Sequence, residues 1–203
     1  MNLRILFRIS CGVIVALILF FVVRAVLRQQ EAAAAHSLVR EEIEQALLGR
    51  KDYSEALRLA ADAIQLYPDD WRLFVMQARA FHGRGRQADA LAALEKAEAL
   101  VADAEAEEDI RFFRARSRMA RFIETGERDD FNLAEGPLKQ AALGGQYSAA
   151  ANILLGLALA RPSRFQDLAE ARRLIEAGLA ESSEPEGIVD MEQVRAVLAR
   201  LKG

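Results

Sequence analysis

Hydrolases, thiol enzymes and metal sites each need particular residue types at fixed spacing, and this chain has few of them. It carries two histidines, His36 and His82, and no pattern links them. Its one cysteine, Cys11, lies in an apolar stretch, so the rest of the chain offers no thiolate for a metal or a nucleophile. Arg8 stands three residues before Cys11 and the apolar run follows it, which argues against a lipid-bearing cysteine. No glycine loop leads into a Lys-Ser or Lys-Thr pair, and Gly83-Arg84-Gly85-Arg86 reads as a turn between helices. Carboxylates are plentiful but distributed as on any solvated helical surface. The reading is of a protein that is not an enzyme and uses no metal or cofactor. Arginine gives the sharper pattern. Arg111, Arg114, Arg118 and Arg121 recur at intervals of three, four and three, along one face of a helix. Phe112, Met119, Phe122 and Ile123 fall on the opposite, core-facing side. Such a stripe suits a partner's carboxylates or lipid phosphates. The plainer alternative is a solvated face paired with its neighbours, as Glu107 is placed to pair with Arg111.

Helices must position these residues, and the composition supplies them. The chain has 203 residues; after about position 30, Ala, Leu, Glu and Arg dominate and Pro is scarce. The formal charge of -3 hides a division. Residues 1–30 hold Arg4, Arg8, Arg24 and Arg28 and no acid, which leaves 23 basic against 30 acidic residues beyond them. A remainder that acidic is not a general nucleic-acid binder, because neutralising phosphates takes a net basic face.

Ile9 to Val23 are fifteen positions without a charge, and Ile5 to Leu27 extend this to 23 residues interrupted only by Arg8 and Arg24. At a rise of about 1.5 Å per residue that is roughly 35 Å of helix, enough for a hydrocarbon core of about 30 Å. The arginines can snorkel to the two headgroup layers. A cleaved signal peptide is the rival. Its small-residue sites, Ala32 to Ala35, lie beyond Arg24, Arg28 and Glu31, so a retained single-pass anchor is expected. Positive charge is nearly balanced across it, and a short cytoplasmic tail with an extracytoplasmic domain is the preferred orientation. Gly12 and Ala16 would let a second membrane helix approach, although such pairs are common by chance.

From Ser37 onward the chain repeats itself. A shift of 34 residues carries Ala56 onto Ala90, Ala63 onto Ala97, Leu47 onto Phe81, Arg40 onto Phe74 and Tyr53 onto Gln87. Asp52 with Glu55 three residues on marks a helix start, as does Asp69 or Asp70 after Pro68. Gly83 and Gly85 suit a helix end. A helix is expected over roughly Glu105 to Thr125. Beyond it a shift of 37 carries Asp130 onto Asp167, Ala134 onto Ala171 and Pro137 onto Leu174. Pro137 inside a helix would kink it, so the helix there is expected to begin near Pro137. Met191, Val194, Leu198 and Leu201 stand at helical spacing at the end.

The first half resembles the tetratricopeptide repeat through Tyr53, Ala56, Ala63 and Pro68, then Phe74, Ala78, Phe81, Ala90, Leu94 and Ala97. Glu44 and Ala102 depart from that pattern. The second half, with Ala151-Asn-Ile-Leu-Leu-Gly156 and Leu159, looks like the Sel1-like variant. The resemblance implies an all-α chain: a transmembrane helix followed by an α-α superhelical solenoid. Its divisions are residues 1–30 as cytoplasmic tail and membrane helix, 31–104 as two tetratricopeptide-like pairs with a stalk, 105–186 as Sel1-like pairs and 187–203 as a capping helix. By the repeat register a concave groove would be lined by Leu38, Glu41, Gln45 and Leu48, then Arg72, Val75, Arg79 and His82, then Asp109, Phe113 and Arg116. That mixture suits a short peptide or helix of some acidic character. The expected role is a single-pass adaptor or scaffold of a bacterial inner membrane, with a periplasmic domain. It would bind partner proteins during assembly or maturation of an envelope or membrane complex. The alternative is an accessory subunit held in a larger complex mainly by its membrane helix.

Overall fold

The computed structural model describes residues 22–28, 30, 33–101, 104–182 and 189–202. The chain divides into an N-terminal unit, residues 1–42, and a larger unit, residues 43–203. In the first, the described residues are helical. Residues 1–21, which hold most of the expected membrane span, lie outside the described set. Among the described residues no helix is long and apolar enough to cross a membrane.

The second unit is all helix, with no strand among the described residues. It opens with a short π-helical element, α1 (Gln45–Gly49). Then follow α2 (Tyr53–Leu66), α3 (Trp71–Gly83), α4 (Gln87–Leu100) and α5 (Ala104–Thr125). The chain continues through α6 (Arg128–Ala141), α7 (Ser148–Leu159), α8 (Leu168–Glu181) and α9 (Met191–Lys202). Each helix packs on the next. In addition α1 touches α3, α3 touches α5, α5 touches α7 and α7 touches α9. The odd-numbered helices therefore form one row, and among the described residues α2, α4, α6 and α8 pack only on their chain neighbours.

Local signals set the helix starts. Asp52 accepts the Glu55 N–H at 3.0 Å, Asp70 that of Arg72 at 3.0 Å and Asp167 that of Glu170 at 3.0 Å. Gly85 adopts φ +71° in the turn between α3 and α4, a left-handed conformation that a Cβ disfavours. Small residues then bring the helices close. Ala56, Ala63, Ala78, Ala90 and Ala97 are all buried, and Leu94 shares a core cluster with Ala78, Ala90 and Ala97. One buried cluster runs from Phe74 to Leu174. A second joins Ile153, Leu157, Ile175 and Val194, and so ties α9 onto α7 and α8.

The start of α6 differs from expectation. The helix runs from Arg128 and contains Pro137. Proline removes the bond to the carbonyl four residues back, that of Leu133. The Leu133 side chain is 54% exposed, so on that face water can take the bond's place.

Candidate functional site

Two turns and the odd-numbered row enclose a cleft of about 680 Å³. Lys51 and Tyr53 come from the turn into α2; His82, Gly83, Gly85 and Gln87 come from the turn between α3 and α4. Arg116, Ala120, Ile123 and Glu124 of α5 line it next, with Leu154 and Leu157 of α7. Asp190, Glu192 and Arg195, at and just before the start of α9, form the far wall.

The local sequence explains the near wall. Arg50 and Asp52 donate their N–H groups to the carbonyls of Gln45 and Ala46, at 3.0 and 2.8 Å. Between them Lys51 takes φ +51°, the one positive φ outside glycine among the described residues. Such a conformation costs about 1–2 kcal/mol for a residue with a Cβ. Tyr53 lies flat against Gly83, where an added Cβ would meet the ring at 2.5 Å. The turn after α3 closes with Gly85 N–H on the His82 carbonyl at 2.9 Å and Arg86 N–H on that of Phe81 at 2.9 Å.

The floor is polar, buried and cationic. Arg116 is 5% exposed. Burial, and next the like charge of Arg79, pull its pKa down to about 9, with Tyr53 opposing; it remains a cation at neutral pH. Burial also lowers Arg79, against the pull of Glu44, Tyr147 and Asp109. Both guanidinium groups lie over the Phe113 ring, at 5.4 and 5.9 Å from its centroid. His82 is held at about 3, first by burial and then by the Arg116 charge, with Gln87 acting the other way. It is therefore neutral. Gln87 is near enough to bias that ring, yet neither Gln87 Oε1 nor His82 Nδ1 completes a hydrogen bond, and both atoms are sealed from solvent. Leaving such a group unsatisfied costs about 1–3 kcal/mol.

Behind the floor, Asp109 accepts the Tyr147 hydroxyl at 2.8 Å and the Gln146 amide at 3.0 Å. Burial, and then that bond, push the Tyr147 pKa up. The Tyr147 ring stacks on Phe112 at 4.0 Å. This network fixes α5 against the start of α7.

The residues expected to line a groove have separate fates. Arg79, His82, Phe113 and Arg116 converge, although Phe113 and Val75 are themselves buried in the core. Arg72 is exposed and lies over its neighbour Trp71, 4.6 Å from the ring centroid. Gln45 and Leu48 are exposed on α1. Leu38 and Glu41 belong to the N-terminal unit and are exposed there. Lys51, Gln87 and the α9 wall were not expected. The repeat register did hold a signal for Gln87: it occupies the place of Tyr53 one unit on, an amide where the earlier unit has an aromatic.

The arginine stripe is largely taken up in structural pairs. Arg114 bonds both oxygens of Glu98, at 2.7 and 2.6 Å, and so joins α5 to α4. Arg121 bonds both oxygens of Asp130 at 2.5 Å and joins α5 to α6. Arg111 reaches Glu107 at 3.7 Å, the neighbour pairing foreseen above. Arg118 shares a shallow groove of about 360 Å³ with Arg111, Arg114, Leu133 and Pro137. Among the described residues no group of three or more His, Cys, Asp or Glu side chains is placed to hold a metal ion. Compared with family models, with curated proteins and with solved structures, the chain matches none.

Proposed function

We propose that this protein is a membrane-anchored adaptor of the tetratricopeptide and Sel1-like kind, which docks a segment of a partner protein in the cleft along its odd-numbered helices. The observation that carries this reading is the cleft floor. His82, Gln87 and Arg116 line a cavity of about 680 Å³, open enough to admit a short segment of chain, with charged groups of both signs around it. An adaptor also suits the residues at hand, because the floor offers hydrogen-bonding groups and charge but no nucleophile beside a base.

The anchor is the charge-free run Ile9 to Val23, which would hold residues 43–203 at the membrane, on the periplasmic side of a bacterial inner membrane. There the adaptor would serve assembly or maturation of an envelope complex; this last step is analogy with other tethered repeat proteins. Co-purification from detergent-solubilised membranes tests the docking. Gln87→Glu places a fixed carboxylate in the cleft, and Arg118→Glu reverses charge on the other groove. Loss of partners with the first and retention with the second are expected. Unchanged partners with Gln87→Glu would remove the cleft from the account.

A further inference from the structure

We infer that the shallow groove between α5 and α6 at Arg118 binds the headgroup of an anionic phospholipid whose phosphodiester carries a free hydroxyl, of the phosphatidylglycerol type. The inference rests on the membrane anchor of the reading above, which supplies the lipid, and is independent of docking in the cleft.

Three features meet in this groove of about 360 Å³. The first is charge. Arg111, Arg114 and Arg118 line it together with Glu98 and Glu107. Arg114 is paired with Glu98 at 2.6 Å, and Arg111 reaches Glu107 at 3.7 Å. Arg118 is half-buried and, among the described residues, makes no hydrogen bond or ion pair. The groove therefore holds one cation in excess, on a guanidinium whose fork of N–H groups matches phosphate oxygens. Both bonds from Arg114 to Glu98 leave Nη1, which keeps Nε and Nη2 for a further acceptor.

The second feature is a backbone acceptor. A helix carbonyl points along the axis toward the residue four on, and for Leu133 that residue is Pro137, which has no N–H. Leu133 and Pro137 both line the groove, so the open carbonyl lies along its wall. A ligand that satisfies this wall offers a donor beside its oxyanion. The excess positive charge disfavours an ammonium group, as in phosphatidylethanolamine, and favours a hydroxyl. The third feature is apolar surface. The Leu133 side chain is 54% exposed beside the Pro137 ring, and the start of an acyl chain would cover it.

A tethered protein meets such a ligand at high concentration. One spare cation and one open carbonyl make a weak site, because a pair at a partly exposed arginine contributes little. Weak sites fill when their ligand is held close, and an anchor in the bilayer does this for headgroups. A free acidic peptide has no such advantage.

Native mass spectrometry of the full-length protein in neutral detergent tests the site. The probes are phosphatidylglycerol, phosphatidylcholine and phosphatidylmethanol, which has the same charge as the first but no hydroxyl. Phosphatidylglycerol is expected to bind about fivefold more tightly than phosphatidylcholine and about twofold more tightly than phosphatidylmethanol. Arg118→Gln is expected to remove the first preference. Arg128→Gln, at an exposed position of α6 outside the groove, is expected to leave it. Pro137→Ala returns an N–H to the Leu133 carbonyl and favours the helix, so the fold is kept; it is expected to remove the second preference alone. Equal binding of all three lipids, or preferences untouched by Arg118→Gln, overturns the site. Displacement of phosphatidylglycerol by equimolar inorganic phosphate, or by acetyl-Leu-Glu-amide, would assign the groove to a free anion or to a protein segment instead. Carbonate washing of membranes reports the anchor separately. A chain that stays in the membrane without an Arg118-dependent preference keeps the anchor and loses the lipid site. A chain that washes off overturns the anchor and, with it, the lipid as occupant.

Discussion

At the scale of single residues, the buried groups divide into those paired within the fold and those held by burial alone. Arg121 and Asp130 belong to the first kind. The Asp130 side chain is 2% exposed and relies on the Arg121 guanidinium, so removing that group strands a buried charge. Arg121→Ala is expected to cost about 3 kcal/mol in urea unfolding, and Arg118→Ala less than about 0.5 kcal/mol. Equal losses would mean that the stripe acts as one surface. His82 gives a pH signature. In the unfolded chain it titrates near 6.5, and in the folded protein near 3. Between those values the unfolded chain binds a proton that the folded one refuses, so stability falls as pH falls from 6.5 toward 3. From pH 7 to pH 5 the wild type is expected to lose about 2 kcal/mol more than His82→Gln, measured by urea unfolding at each pH. Identical losses would place His82 in solvent. Neither feature was legible in the sequence: a nine-residue separation across two helices hides the Arg121 pair, and burial of a lone histidine leaves no local pattern.

At the scale of elements, periodicity and capping chemistry carried most of the information. The alanines at a spacing of 34 predicted close contacts, and they are buried; Asp52, Asp70 and the α5 boundaries also stand where the pattern put them. Interactions between helices were less visible. The α7–α8 contact depends on a reciprocal close approach. A Cβ on Gly178 would meet the Ala149 carbonyl oxygen at 2.5 Å, and one on Gly156 would meet Ile175 at 2.6 Å. Gly178→Ala is therefore expected to destabilise by about 1–3 kcal/mol despite the better helix propensity of alanine. A stabilised variant in thermal unfolding would show that the two helices can separate at little cost. Pro137 misled for a related reason. Proline marks a helix start by local rules, yet here packing of Phe131, Ala134 and Leu138 into the core carries the helix through it.

At the scale of the whole molecule, the proposed function rests on two features that the sequence presents in different ways. The apolar run near the N-terminus is plain from composition alone. The cleft is not, because its walls come from residues 51–53, 82–87, 116–124 and 190–195, which only the fold brings together. The repeat register put Arg79, His82 and Arg116 on one face, and of these His82 and Arg116 line the cleft; it gave no sign that α9 closes the far side. Replacing residues 5–27 with an unrelated membrane anchor separates the two features. Partner association is expected to survive the swap, as judged by co-purification; its loss would favour a subunit held by its membrane helix. The most direct measurement uses a photo-crosslinking residue in place of Ala120, inside the cleft, and in place of Leu143, which is 81% exposed and outside it. Irradiation of intact membranes is expected to give discrete adducts from position 120 and none from position 143. Adducts from position 143 alone would contradict docking in the cleft.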